Sequence, residues 1–271
     1  MTTQAIDQST LLQDIRRARK ADDTYHIWRL GGHGFLMKWT ERCLLMDPVL
    51  STPNDHPQGA QPTAINTVGS RRVVSPVELD FIDITTITRP KDLLLDRATV
   101  RGVWTVSPAM RLIVPKATTS YVAEHLGIHP ALPIGIADDE TVTFADINIT
   151  GLSLNAAQDE QDLGQDVAYV YQFGEQFTCL HASRIPADST FIERVRAHKI
   201  DVALLPISHE QSENTRIIEF AREIGAEAVI PHTVDPVEHE TDLLDTFVEQ
   251  ATEVNLAVRP LKPGERWSNA R

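Results

Sequence analysis

The sequence is poor in cysteine: two among 271 residues, Cys43 and Cys179. Neither belongs to a CxxC or similar spacing, which excludes a disulfide-stapled scaffold and a cysteine-rich zinc site. Both lie in apolar, strand-like runs and read as buried reduced thiols. Long hydrophobic runs are absent as well, since none approaches the roughly 18 residues that a membrane span requires. Basic charge is scarce, with 25 Lys and Arg against 38 Asp and Glu and a formal net charge of −13. Nucleic acid and acidic membrane surfaces repel such a chain, so neither is an expected partner. Residues 1–19 contain no apolar core of the kind a secretory leader carries, and the expected location is cytoplasmic. There is no short-period repeat and no low-complexity tract.

What is present is an alternation of short strands and helices. Ser9 and Thr10 can cap a helix over about 10–20, with Leu11, Leu12 and Ile15 on one face. Residues 1–24 therefore read as a helical extension, and 25–271 as one layered domain. Strands are expected at 25–30, 35–39 and 43–46, separated by tight turns such as Gly31-Gly32-His33-Gly34. Residues 50–75 are rich in Pro, Gly, Asn and Thr and read as a long loop. Later strands are expected at 111–115, 141–144, 147–154, 167–173, 177–183, 202–206, 228–231 and 257–261. Helices are expected at 93–100, 118–126, 190–198, 217–224 and 242–253.

One stretch organises the rest: Phe81-Ile82-Asp83-Ile84-Thr85-Thr86-Ile87-Thr88-Arg89-Pro90-Lys91-Asp92-Leu93-Leu94-Leu95-Asp96. Its first half is β-branched and reads as a strand. Pro90 has no amide donor and ends the ladder, which leaves Arg89 and Lys91 on a strand-end loop, where α/β folds commonly place chemistry. The stretch resembles the metal-binding strand-loop of the metallo-β-lactamase superfamily, which reads Thr-His-x-His-x-Asp-His-x-Asp. Thr88 and Asp96 keep the frame. The phrases Trp28-x-Leu30-Gly31-Gly32-His33-Gly34-Phe35, Leu45-Met46-Asp47-Pro48-Val49-Leu50-Ser51, Asp201-Val202-Ala203-Leu204-Leu205-Pro206-Ile207 and Lys262-Pro263-Gly264-Glu265-Arg266-Trp267 occur in the same order. They resemble the branch of ascorbate-6-phosphate lactonase and the N-acyl-phosphatidylethanolamine phospholipase D-like proteins. The resemblance implies a mixed α/β, four-layer αββα sandwich with its site on one edge of the two sheets, and a homo-oligomer.

The same resemblance identifies where the family's metal ligands would stand. The first two histidines fall on Arg89 and Lys91, and the next aspartate and histidine on Leu93 and Leu94. A later histidine falls on Gln158, the bridging aspartate on Ser183, and the last histidine on Thr233, beside His232. None keeps a ligand. Leucine offers no lone pair, and arginine stays protonated and repels a dication. Without a metal, bound water is not acidified towards neutrality. No metal and no cofactor are therefore expected, and the family's usual metal-dependent hydrolysis does not transfer.

The expected function is metal-independent binding of a small anionic ligand, a carboxylate or phosphate, or a non-catalytic role. Candidate ligand-binding residues are Arg89, Lys91, Gln158, Thr233, His33 and His209. The alternative is a metal-free enzyme of lactonase-like, isomerase or lyase type, with His181, Ser183, His232 and Asp96 as candidate catalytic groups. His181 and Ser183 are two apart on a strand and share a face. A relocated metal site drawn from His181, His209, His232 and Asp47 has no HxH or HxxxH spacing behind it.

Overall fold

A computed structural model describes residues 8–21, 23–52, 55, 72–90, 94–154, 166–186, 188–233 and 240–270. Two sheets stack face to face. The first has seven strands in the order β13-β1-β2-β3-β4-β5-β6. These are β1 (Thr24–Gly31), β2 (Gly34–Trp39), β3 (Arg42–Met46), β4 (Ile84–Thr86), β5 (Arg111–Pro115), β6 (Pro133–Ile136) and β13 (Arg266–Ala270). The second has six, in the order β12-β11-β10-β9-β8-β7. These are β7 (Thr141–Phe144), β8 (Ile147–Ser153), β9 (Val167–Phe173), β10 (Phe177–His181), β11 (Val202–Ile207) and β12 (Ala228–Thr233).

Helices α1 (Gln8–Arg17), α2 (Arg97–Val106) and α3 (Thr119–Leu126) accompany the first sheet, and α4 (Ser189–Arg196), α5 (Gln211–Glu223) and α6 (Glu240–Glu253) the second. Strand periodicity explains the layering, because alternate residues face opposite ways. Ile27, Phe35, Met37, Leu44 and Met46 of the first sheet meet Tyr169, Tyr171, Cys179, Leu204 and Ile230 of the second in a central core. Their neighbours Trp28, Leu36 and Leu45 face outwards and pack with Leu11, Ile15, Val100 and Val122. On the far side, Leu180, Ala203, Leu205 and Val229 pack with Phe191, Phe220 and Phe247. Helix, sheet, sheet, helix is the four-layer αββα order expected from the sequence.

Helix α1 is bound into this architecture. Lys38 Nζ donates to the Ile15 carbonyl at 2.7 Å, and Trp28 Nε1 donates to Asp14 at 2.8 Å. A buried ammonium thus caps carbonyls at the helix C-terminal end, the favourable pole for a cation.

Several local expectations are corrected. The strand expected over the first half of 81–96 is hydrogen-bonded as β4 only at Ile84–Thr86. Helix α2 starts at Arg97, because Asp96 caps it, so the helix expected at 93–100 is shifted towards the C-terminus. Residues 257–261 form an isolated bridge, Val229 to Val258, and the edge strand is β13 instead. Strand β6 was not expected; its Pro133-Ile134-Gly135-Ile136 carries two poor strand formers. Most of the loop expected at 50–75 lies outside the described residues.

Candidate functional site

The C-terminal ends of β3, β4, β10 and β12 and the turn between β1 and β2 meet along one edge. The first determinant is Asp47, just after β3. It is fully buried, with φ of 40°. Its side chain reaches over to the loop after β4, where Oδ1 accepts from the Thr88 amide at 2.7 Å and Oδ2 from the Thr88 hydroxyl at 2.5 Å. The same loop is tied to the other sheet: the Val167 amide donates to the Thr88 carbonyl at 3.1 Å, and the Tyr169 hydroxyl donates to the Ile87 carbonyl at 3.1 Å. The start of the loop that carries Arg89 is therefore fixed from both sides.

Arg89 is partly buried, and its Nε lies 3.4 Å from Asp166 Oδ2; Arg184 Nε lies 3.4 Å from the same oxygen. One carboxylate thus stands between two guanidiniums. Lys91, Leu93 and Gln158 lie outside the described residues.

Three imidazoles converge behind this rim. His181 ends β10 on its inward face, and His232 lies on the inward face of β12. His33 comes from the β1–β2 turn, which Gly31 and Gly32 make at φ of 112° and 52°. The rings of His33 and His232 are 4.8 Å apart between centroids, and those of His181 and His232 5.8 Å. The Phe35 ring meets both His181 and His232 edge-on, at 5.9 Å and 5.5 Å. All three histidines and Ser183 are at most 2% exposed. Among the described residues, His33 Nδ1, both ring nitrogens of His181 and of His232, and Ser183 Oγ make no well-formed hydrogen bond; the His33 main chain lies near His181 and the Ala182 main chain near His232. Buried polar atoms are ordinarily paired, so a cluster of such orphans calls for an occupant.

The electrostatics follow from burial. Removal from water pushes His33 down to about 3, helped by His181, Arg89 and Arg29. Burial takes His181 to about 3, against a contribution from the His33 main chain, and takes His232 well below its ordinary value. All three imidazoles are neutral at physiological pH. Asp47 is pushed up to about 7 by burial, against its Thr88 hydrogen bonds and Arg89. His181 Nε2 lies 3.8 Å from Asp47 Oδ2, beyond hydrogen-bond reach.

The other candidates stand apart from this cluster. Thr233 donates to Glu240 Oε1 at 2.8 Å and accepts from Arg29 Nη2 at 3.2 Å. Arg29 has no solvent exposure; it also donates to the Leu261 carbonyl at 2.9 Å and forms an ion pair with Glu240. Asp96 Oδ1 accepts from the Ala98 and Thr99 amides, and Oδ2 from the Thr99 hydroxyl at 2.6 Å and the Ser51 amide at 2.9 Å. A carboxylate so engaged is a helix cap and a loop anchor. His209 is exposed, on the loop before α5. The feature that sequence reasoning missed is Arg184, whose partner Asp166 precedes β9.

The residues do not fit the metal group that this fold implies. Arg89 carries a positive charge, Leu94 has no lone pair, and Ser183 and Thr233 offer only hydroxyls at the corresponding places. Among the described residues, no three His, Cys, Asp or Glu side chains are arranged to hold a metal ion.

No family model matches the sequence, and no curated protein matches it. Solved structures do. Igni18, a metallo hydrolase from Ignicoccus hospitalis, superposes with a TM-score of 0.66 at 14% identity, over 91% of this chain and 98% of that one. YhfI of Bacillus subtilis, a metallo-β-lactamase fold protein, gives 0.63 at 15% identity, over 91% and 100%. The isothiocyanate hydrolase from Delia radicum gut bacteria gives 0.66 at 12% identity, over 91% and 100%. At such identities the likeness speaks for the architecture and leaves the chemistry to the site. Two stacked sheets flanked by helices, with a polar site along one shared edge, make this a chain with the metallo-β-lactamase fold.

Proposed function

We propose that this protein binds a small carboxylate or phosphate ligand at the sheet-edge cleft without a metal ion. The observation that carries the reading is Arg89. By the sequence resemblance Arg89 falls at the position of the family's first histidine, and its loop is fixed by Asp47, Val167 and Tyr169. Arg184 adds a second guanidinium at the same distance from Asp166 Oδ2. A planar guanidinium fork suits two oxygens of one anion. The hydrolytic activities of the similar structures do not come with the fold, and among the described residues no three His, Cys, Asp or Glu side chains are arranged to hold a catalytic metal.

The test combines elemental analysis with calorimetry on chelator-treated protein. Binding of inorganic phosphate or acetate that persists after chelation and weakens at least tenfold in Arg89→Ala supports the reading. Stoichiometric zinc, manganese or iron whose removal abolishes binding overturns it.

A second reading, a metal-free enzyme, is favoured by one specific observation. Asp47, held near 7, lies 3.8 Å from His181. A group with a pKa near the working pH is suited to general acid–base transfer. Chelator-insensitive turnover of a lactone, rising or falling across neutral pH, would identify it. A flat pH profile with no turnover leaves binding alone.

A further inference from the structure

Resting on the anion-binding reading, we infer that the anion's oxygens are seated on the inner cluster of His33, His181, Ser183 and His232, with Arg89 at the rim. Five imidazole nitrogens and one hydroxyl, all buried, have no well-formed hydrogen bond among the described residues, where the His33 main chain lies beside His181 and the Ala182 main chain beside His232. They come from three separate segments: the β1–β2 turn, the end of β10 and β12. Each neutral imidazole carries one N–H donor and can turn it towards an occupant. A serine hydroxyl adds another.

Charge decides which occupant fits. Near the cluster Arg29 pairs with Glu240, Arg89 and Arg184 share Asp166, and Asp47 lies beside His181. Asp47 is only partly ionised at neutral pH, so the surroundings lean positive. Both Arg29 and Arg89 act on His33 as unfavourable neighbours for a positive charge. A divalent cation would meet the same opposition, and among the described residues the donors are not arranged to enclose one. An oxyanion meets N–H and O–H donors in a dehydrated setting, where such bonds are strong. The Phe35 ring packs edge-on against His181 and His232 and lines the cluster on that side.

The experiment titrates full-length, chelator-treated protein with inorganic phosphate and, separately, with acetate. It records heats and the ¹⁵N signals of the histidine side chains. The expected result is saturable binding of one of the two anions that shifts the signals of His33, His181 and His232. Ser183→Ala and His181→Gln should each weaken that binding about tenfold. Ser183→Ala removes one small group from a buried site and keeps the test readable if His181→Gln misfolds. Phosphate binding without acetate binding assigns a phosphate group, and the reverse a carboxylate. Wild-type affinity in both variants together with a loss in Arg89→Ala would place the anion on the outer rim, overturning this inference while leaving the anion-binding reading standing. Failure of both anions to bind the wild-type protein removes both. So does a stoichiometric zinc titration that shifts the same imidazoles while the anions do not.

Discussion

Asp47 is left-handed at φ of 40°, a conformation that few side chains tolerate and that Asp accepts more readily than most. Among the described residues it accepts from both the Thr88 amide and the Thr88 hydroxyl. Asp47→Ala would leave both Thr88 donors buried and unpaired. The expected loss is about 2–4 kcal/mol in urea unfolding, together with loss of ligand binding as the Arg89 loop loosens. Ser183 is the opposite case, since its hydroxyl is buried without a partner among the described residues. Ser183→Ala should leave unfolding stability within about 0.5 kcal/mol of the wild type, or raise it. A large loss would mean that the hydroxyl has an essential bond in the free protein. Sequence reading paired His181 with Ser183 because strand parity is visible in a sequence, and it named His232 only because the family resemblance puts a ligand position beside it. It had no means of ranking His33 above His209, because burial in a turn leaves no periodic mark.

At the scale of elements, the assignment of Asp96 turns on helix α2. Both carboxylate oxygens cap its first turn or hold the Ser51 amide. Asp96→Ala should cost about 1–2 kcal/mol, a fall of a few degrees in melting temperature for a chain of this size. Asp96→Asn should recover most of that, since asparagine is also a good cap. If Asp96 instead moved a proton, Asn would restore stability but not turnover, and the two measurements would separate. Strands β1, β2, β3, β9, β10, β11 and β12 were readable because their apolar content is strong and their turns are marked by Gly, Asp or Pro. β6 and β13 were not. β6 is short and contains Pro133 and Gly135, and β13 earns its place by pairing with β1, from Thr24 opposite Ala270 to Trp28 opposite Arg266. Such long-range pairing has no local signal.

At the scale of the whole molecule, the buried histidines set a pH dependence. His33, His181 and His232 are all held below the ordinary 6.5 by burial. The unfolded chain therefore takes up three protons that the folded chain refuses as pH falls below about 6.5, and stability declines. Asp47 acts the other way: its folded value of about 7 lies above the ordinary 3.8, so it favours the fold as pH falls through 7. Among these four groups three protons against one leaves a net of two, and the downward shifts of His26, His125 and His198 act in the same direction as the three. Stability should fall by about 3 kcal/mol per pH unit in the steep range, at about 1.4 kcal/mol for each net proton. Urea unfolding at about pH 7.5, 6 and 5 measures the slope. A stability that is flat or rises on acidification would show that these imidazoles are protonated in the fold.

The sequence by itself determined a layered α/β domain of alternating strands and helices and, through its resemblance to a known family, pointed to the four-layer order and to a changed metal-binding motif. Alternating apolar residues dictate which faces of each strand are buried, and the identity of Arg89 or Leu94 decides at once whether a lone pair is available for a cation. Tertiary structure alone decided what took the motif's place. It put a turn histidine from the first sheet against two strand-end histidines of the second, and it spent Asp96 and Thr233 on a helix cap and a buried arginine. The reason is that proximity between segments remote in the chain is fixed by how two sheets stack, and hydrogen-bond satisfaction is a property of the completed packing rather than of any residue's neighbours in sequence.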